Sequence, residues 1–215
     1  MAWFTKKNYA TKEDLYTIHS FLSNSFNKNL VEIKFSISFF DWSIFFSTSL
    51  FIAANNYKGK HEIKFSIVRY GNVMGSRGSV IPFFLKQKEN GVLPITDERM
   101  TRFMITIEQG VKLVWHAFED ALGGEIYVYK IPSMKVTDIA RAINPDASFE
   151  NIGIRPGEKI HEVMISEEDA MSSYEYDWYY KILPTLKKWH LDSERIKGAK
   201  KLEEGFIYSS DSNRE

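Results

Sequence analysis

The chain has 215 residues, a length that is enough for one domain or one and a half with its own core. It contains 28 basic and 28 acidic side chains and no cysteine. Because the charges cancel, the composition argues against a broad nucleic-acid-binding surface, which needs a clustered excess of lysine and arginine. The lack of cysteine excludes a disulfide framework and thiolate metal sites. The polar sequence after Met1 shows no secretory signal, and we expect a cytoplasmic protein.

The first forty residues contain one helical and one strand-like pattern. Residues 1–30 are polar, and a capping-box-like start at Thr11 precedes apolar residues at helical spacing. Residues 31–39 alternate between apolar and polar, which is typical of a half-buried strand. The hexapeptide at 32–37 recurs letter for letter at 62–67. Two copies are too few for a repeat architecture, and no function follows from them.

Residues 35–54 form an apolar segment long enough to cross a bilayer. Its single charge, Asp41, would cost roughly 3 kcal/mol at the membrane centre, and serine and threonine are interspersed through the segment. A strand followed by a buried helix therefore explains these residues better than a membrane span. A membrane anchor is the alternative.

From residue 50 onward, helical and strand-like patterns alternate. The predicted elements are a helix end at 50–56, strands at 63–69, 125–131 and 149–154, and helices at 79–88, after Thr106, and at 136–143. The helix after Thr106 has a capping box with Gln109 and an apolar set of Val111, Val114, Trp115, Phe118 and Leu122. This alternation predicts a layered α/β fold. The lysine-rich tail after Pro184 is predicted to be a solvated helix or a loose end.

A glycine-rich turn, Gly71-x-x-x-Gly75-x-x-Gly78, follows a predicted strand and precedes a predicted helix. Glycine permits positive φ and close backbone approach, and a helix N-terminus attracts phosphate. Asp97 lies about where a ribose-binding acid is expected, roughly 20 residues further on. The spacing departs from G-x-G-x-x-G, so a plain glycine-rich turn is an equal alternative.

A second candidate motif is the loop Arg155-Pro156-Gly157-Glu158. A guanidinium can donate two hydrogen bonds to a diphosphate, and a nearby carboxylate can accept from sugar hydroxyls. Proline and glycine fix the turn between the two side chains. The alternative is a surface turn with an ion pair. His161 follows Glu158 at the spacing of half a di-metal site, but without a second copy an ordinary surface histidine is the better interpretation.

Residues 50 to about 213 resemble the C-terminal half of the inverting UDP-N-acetylglucosamine 4,6-dehydratases, extended short-chain dehydrogenases of flagellin-glycan and capsule synthesis. The stretches that carry the resemblance are 51–56, 68–80, 94–97, 100–103, 124–126, 130–135, 153–159 and 161–164, in collinear order. The resemblance implies a partial Rossmann-type α/β sheet with a small C-terminal substrate-binding lobe. It divides the chain into an atypical segment, 1–49, and a dehydratase-like part, 50–215.

The resemblance also implies a set of site residues. It assigns the UDP-sugar to Asn72, Val80, Thr96, Arg155 and Glu158, with Arg155 on the diphosphate and Arg102 as a further companion. It assigns NADP to Val73, Met74, Gly75, Ser76 and Arg77. The implied lyase chemistry is oxidation at C4 of the sugar, loss of water across C5–C6, and return of hydride to C6 with inversion at C5. No catalytic residue and no metal ligand is assigned in this chain.

The sequence departs from the dehydratase pattern at its catalytic elements. It lacks the first βαβ unit with its glycine fingerprint, the Thr-Asp-Lys element and the Tyr-x-x-x-Lys pair. The nearest echo, Tyr9 to Lys12, is one residue short, and Ser49 stands where the family usually has lysine. Three interpretations stay open: a dehydratase half that is inactive alone, a non-catalytic UDP-sugar-binding or interaction module, and a membrane-tethered accessory of polysaccharide biosynthesis. The expected partners are a second copy or a separate N-terminal half, and not nucleic acid.

Overall fold

The computed structural model describes residues 32–35, 52–56, 64–76, 78–184 and 192–213. The helix predicted within 1–30 lies outside these residues. So does most of the apolar segment considered as a membrane span. Among the residues that are described, no helix is long and apolar enough to cross a membrane.

Strands and helices alternate along the described chain. The strands are β1 (Glu32–Phe35), β2 (Phe65–Arg69), β3 (Asn72–Val73), β4 (Val92–Ile95), β5 (Thr101–Ile105), β6 (Ile126–Tyr129), β7 (Ser133–Lys135), β8 (Ser148–Asn151), β9 (Val163–Ile165), β10 (Ser173–Glu175), β11 (Tyr179–Ile182), β12 (Lys200–Lys201) and β13 (Tyr208–Ser209). The helices are α1 (Val80–Gln87), α2 (Ile107–Asp120), α3 (Val136–Ile143) and α4 (Glu167–Ala170), with a 3-10 turn at Lys88–Asn90 and a helical stretch at 52–56. The prediction of an α/β fold is confirmed.

The main sheet has six strands in the order β1-β2-β6-β11-β10-β12. Strands β1, β2 and β6 run parallel, whereas β11, β10 and β12 continue the sheet in antiparallel fashion. Strand β6 is buried along its whole length, as expected for a strand inside a covered sheet. The two copies of the repeated hexapeptide contribute to neighbouring strands. Their register places Glu32 opposite Phe65, the fourth residue of the second copy.

Helix α2 packs on this sheet and begins as the sequence predicts. The Thr106 hydroxyl accepts from the Gln109 amide at 3.2 Å, and the Gln109 side chain accepts from the Thr106 amide at 2.9 Å, which confirms the capping box. The predicted apolar face is only partly correct. Val114 is buried, but Val111 is 48% exposed, because the core-facing side of the helix runs through Gly110, Leu113, Val114 and Ala117.

A second, smaller core lies under helices α1 and α3. Strand β4 pairs in parallel with β8, and the two helices cover the apolar side chains beside this pair. The buried residues of this small-lobe core are Phe84, Leu93, Ile95, Met100, Met104, Val136, Ile139 and Ala140. Helix α3 coincides with its predicted bounds, 136–143.

The prediction of a solvated or loose tail is wrong for its described part, 192–213. Arg195 is buried and forms an ion pair with Glu125, a carboxylate that is only 1% exposed. The Tyr208 hydroxyl accepts from the Ile131 amide at 2.9 Å and donates to its carbonyl at 3.1 Å. These contacts, with the pairing of β12 and β13, fasten the tail to the body of the protein.

The Glu125–Arg195 pair predicts a strong effect on stability. Removing the carboxylate in Glu125→Ala breaks a buried ion pair and takes the acceptor from the Ser66 hydroxyl and the Gly123 amide, so we expect the free energy of unfolding to fall by roughly 3–5 kcal/mol. Urea denaturation followed by circular dichroism measures this change. Glu119→Ala, on the exposed side of α2, is the matched control and should change stability by less than about 0.5 kcal/mol. Equal effects of the two substitutions would contradict the assignment.

Gly71 and Gly110 give a matched pair of glycine substitutions. A Cβ at Gly71 would lie 2.4 Å from the Phe103 carbonyl oxygen, whereas one at Gly110 would come within 4 Å of no described side chain but Tyr70, at 3.9 Å. Gly71→Ala should therefore destabilise the fold by roughly 1–3 kcal/mol through overpacking. Gly110→Ala, inside α2, should be neutral or stabilise by up to about 1 kcal/mol. Thermal unfolding of both variants checks the difference, and similar melting temperatures would refute it.

Candidate functional site

Strand β5 lies beside β3, which begins the glycine-rich turn, and its Arg102 side chain reaches residues 159 and 160, directly after the Arg155 loop. It pairs in parallel with β3 on one side and antiparallel with β7 on the other. Asn72 of β3 lies opposite Met104, two residues along β5 from Arg102. Two residues of a strand span about 7 Å, so the asparagine of the glycine-rich turn and Arg102 share one neighbourhood.

The glycine-rich turn follows β3, and its backbone is exposed. The Met74 amide donates to the Ile105 carbonyl at 2.9 Å, and the Ser76 amide donates to the Val73 carbonyl at 3.2 Å. Gly75 has a φ of +72°, and a Cβ there would meet no atom of the described residues within 4 Å. Met74 is 41% exposed. The backbone is therefore accessible to a ligand between Val73 and Ser76, while Arg77 lies outside the described residues.

The N-terminus of α1 follows this turn. Ser79 is its N-cap residue, in an extended conformation, but its hydroxyl makes no cap hydrogen bond. The hydroxyl oxygen is buried and has no hydrogen-bond partner within the described part of the chain. The next residue, Val80, packs against the small-lobe core. The same core contains Met104, the register partner of Asn72, so both predicted substrate-binding residues border one apolar cluster.

Thr96 and the Arg155 loop leave adjacent parallel strands at the same end. Ile95 of β4 pairs with Asn151 of β8, and the Ile152 amide donates to the Ile95 carbonyl at 2.8 Å. The chain continues into Thr96 on one side and into residues 152–157 on the other. Because the carboxyl ends of neighbouring parallel strands meet at one edge, Thr96 and the start of the Arg155 loop leave this strand pair at the same edge.

Asp97 is engaged with its own turn. Its carboxylate accepts from the Arg99 amide at 2.8 Å, from Nε at 3.0 Å and from Nη2 at 2.8 Å. The side-chain hydrogen bond from Arg99 is the main cause that lowers the pKa of Asp97 to about 2. The sequence-based suggestion of a ribose-binding acid therefore falls on a carboxylate that is already bound by a neighbouring arginine.

The Arg155 loop is a compact, exposed turn. The Glu158 amide donates to the Arg155 carbonyl at 3.0 Å, and Gly157 has a φ of +80°. The Arg155 amide reaches the Glu158 carboxylate at 3.4 Å. Within the described residues the Arg155 guanidinium forms no hydrogen bond or ion pair, whereas Glu158 lies 3.6 Å from Arg102. The turn therefore presents a cation that is available to a ligand.

Arg102, by contrast, is surrounded by protein acceptors. Its Nη1 donates to the carbonyls of Thr101 at 2.7 Å and Ile160 at 3.0 Å, and its Nη2 donates to the Lys159 carbonyl at 2.9 Å. Carboxylate oxygens of Glu158 and Glu162 lie 3.6 Å away. The side chain is only 13% exposed. These contacts tie the segment after the Arg155 loop to strand β5.

Further contacts, which the sequence did not predict, also attach the segment after the Arg155 loop to strand β5. Ser210, from the tail, accepts from the Glu162 amide at 2.9 Å and lies 2.7 Å from the Thr101 hydroxyl. The same hydroxyl lies 2.8 Å from Nδ1 of His161. Burial raises the pKa of Glu162, although the Arg102 charge and the Phe103 amide act in the opposite direction. No sequence spacing marks these partners, because they are 48 to 109 residues apart.

Comparison with known proteins places this arrangement in a family. The sequence profile of the polysaccharide biosynthesis protein family matches residues 36–184. The UDP-N-acetylglucosamine 4,6-dehydratase (inverting) of Campylobacter jejuni is 51% identical over 174 residues, which cover 78% of this chain and 52% of that protein. The UDP-glucose 4-epimerase of Rickettsia canadensis is 36% identical over 158 residues, covering 71% and 46%.

A solved structure agrees with the sequence relatives. The X-ray structure of Pen from Bacillus thuringiensis superposes with a TM-score of 0.69 at 34% identity, covering 78% of this chain and 51% of that one. This chain therefore shares its mixed α/β fold with that structure over the matched residues. The chain belongs to the polysaccharide biosynthesis protein family, and it spans about half the length of the curated relatives it matches.

The Asp97–Arg99 contact predicts a measurable acidity. In the folded protein the Asp97 carboxyl should titrate near pH 2, below its ordinary value of 3.8. Because the folded-state pKa is depressed, the stabilisation from this contact is present above the ordinary value and is lost as the pH falls toward 2. NMR of the side-chain carboxyl carbon measures the midpoint. Arg99→Gln should return the midpoint toward 3.8, and an unchanged midpoint in that variant would contradict the assigned cause.

Proposed function

We propose that this chain supplies the UDP-sugar-binding half of a nucleotide-sugar 4,6-dehydratase of surface-polysaccharide biosynthesis. The observation that carries the proposal is the 51% identity to the Campylobacter dehydratase over 174 residues, which include both candidate motifs. The proposed functional unit is residues 50–215, with residues 1–49 as a separate segment. The lack of cysteine is compatible with the reducing cytoplasm, where we propose that the chain acts.

The proposed substrate site uses the one exposed guanidinium in the Arg155 loop. A free arginine fork matches the oxygens of a diphosphate, and a carboxylate on the same turn can accept from ribose or sugar hydroxyls. Arg155 and Glu158 would take these roles. Thr96 follows β4 at the end where the Arg155 loop leaves β8, and Val80 and Asn72 border the small-lobe core. This arrangement suits a ligand with a charged centre, polar ends and an apolar wall beneath it.

The glycine-rich turn suits a nicotinamide cofactor, which we propose is NADP. Val73, Met74, Gly75 and Ser76 would line it, with Arg77 next in the chain. The open space above Gly75 fits close approach of a flat ring to the backbone. When bound, the cofactor supplies hydride acceptance and return. The residues of this chain would bind and orient the sugar nucleotide against it.

The sequence contains neither a Tyr-x-x-x-Lys pair nor a Thr-Asp-Lys element. Groups that move the hydroxyl proton are required for oxidation at the sugar, so we propose that turnover needs groups outside these 215 residues, on the same or on a separate polypeptide. The alternative function is a UDP-sugar-binding or interaction module without turnover. The lack of these two elements in the given sequence is also compatible with this alternative. Addition of the N-terminal half of a related dehydratase distinguishes the two, because only the first interpretation predicts that activity appears.

Arg155→Ala tests the proposed site. Loss of charge-assisted hydrogen bonds, which contribute about 1.5–3 kcal/mol, should weaken UDP binding by roughly tenfold or more. Isothermal titration calorimetry with UDP measures the change. Arg141→Ala removes another exposed arginine, on α3, and should leave the affinity unchanged. Saturable binding of UDP by the wild-type chain that is insensitive to Arg155→Ala would contradict the proposed site.

The chain alone, incubated with UDP-N-acetylglucosamine and NADP, should yield no 4-keto-6-deoxy sugar when the reaction is followed by proton NMR. The physical reason is the missing proton-transfer pair. Appearance of that product would refute the proposed dependence on groups outside these 215 residues.

A further inference from the structure

We propose that Arg102 is a positioning residue: it holds segment 158–162 against strand β5 and so sets where Arg155 and Glu158 stand, without itself touching the ligand. This inference rests on the proposed function, since it concerns the same site. It differs from the sequence-based prediction, in which Arg102 binds the substrate directly.

The first support is the direction of the Arg102 nitrogens. A guanidinium carries five N–H donors in a fixed plane. In Arg102, three of them donate to the carbonyls of Thr101, Ile160 and Lys159, at 2.7, 3.0 and 2.9 Å. The remaining directions face the carboxylates of Glu158 and Glu162, both at 3.6 Å. With a side chain 13% exposed, little of the guanidinium is left for a diphosphate.

The second support is the nature of these partners. Two of the three acceptors are consecutive backbone carbonyls of segment 158–162, and the Ile160 carbonyl also accepts from the Thr101 amide at 3.0 Å. A planar fork can satisfy several fixed carbonyls at once, which a lysine ammonium on a flexible stem does not reproduce. The contacts therefore match a residue that fixes backbone geometry.

The third support comes from the opposite end of the same segment. The Glu162 amide donates to the Ser210 hydroxyl oxygen at 2.9 Å, and the Ser210 amide donates to the Glu162 carbonyl at 2.8 Å. Segment 158–162 is thus held by β5 on one side and by the tail on the other. The Arg155 side chain projects from the exposed turn that precedes it. Precise recognition of a diphosphate requires a fixed backbone, here segment 158–162, and a guanidinium that is accessible to the ligand, here Arg155.

The test uses Arg102→Lys, which keeps the charge but loses the planar fork. Amide hydrogen exchange of the ligand-free chain is the readout that a direct ligand contact would not change. We expect the Glu158 and Thr101 amides to exchange about tenfold faster, while amides in the middle of α2 keep their wild-type rates. The Kd for UDP should rise by roughly tenfold in the same variant. Arg141→Lys, on the exposed side of α3, should change neither quantity.

Exchange at Glu158 and Thr101 that stays at the wild-type rate would overturn the inference, whether the UDP affinity changes or not. Faster exchange together with unchanged UDP affinity would also overturn it, because the position of the loop would then be irrelevant to binding. If the wild-type chain binds no UDP, the proposed function fails. The exchange measurement then still decides whether Arg102 holds the segment. Circular dichroism melting confirms that the variant is folded before either measurement.

Discussion

The attachment of segment 158–162 to strand β5 is the contact on which the candidate site depends. Arg102 reaches from the strand to two consecutive carbonyls of that segment, and the Thr101 amide binds one of them as well. Further along the same edge of β5, the Ile105 carbonyl accepts from the Met74 amide of the glycine-rich turn. One strand therefore relates both motifs in space, although the sequence separates Asn72 from Glu158 by more than eighty residues.

The tail, residues 192–213, supports this attachment through contacts with both the main sheet and the segment itself. Arg195 is bound in the interior by Glu125, and the chain that follows adds β12 to the main sheet and β13 to β9. Ser210 then reaches Thr101 and Glu162 next to the site. We therefore expect stability and the proposed binding to be coupled, because these tail residues also support the proposed ligand loop. A polar network of this kind is effective only when each member is satisfied.

The sequence predicts those features that local signals determine. The capping box at Thr106 and the full extent of α3 follow from side chains within a few residues, and the structure confirms both. The tail was predicted wrongly, because its lysines are common to solvated helices while the decisive contact, Arg195 with Glu125, joins residues 70 positions apart. The contacts of Arg102 were missed for the same reason. Its motif indicated a ligand-binding arginine, but its acceptors are backbone carbonyls that no sequence pattern records.

The central claim is that Asn72, at the start of the glycine-rich turn, and the Arg155 loop serve a single ligand, a sugar nucleotide. Titration of the isotope-labelled chain with UDP-N-acetylglucosamine, followed by amide NMR, tests it most directly. The account predicts that the amides of Asn72, Thr96 and Glu158 shift together along one saturation curve, because all three border the same site. Shifts confined to one of the two motifs, or curves with different midpoints, would contradict it.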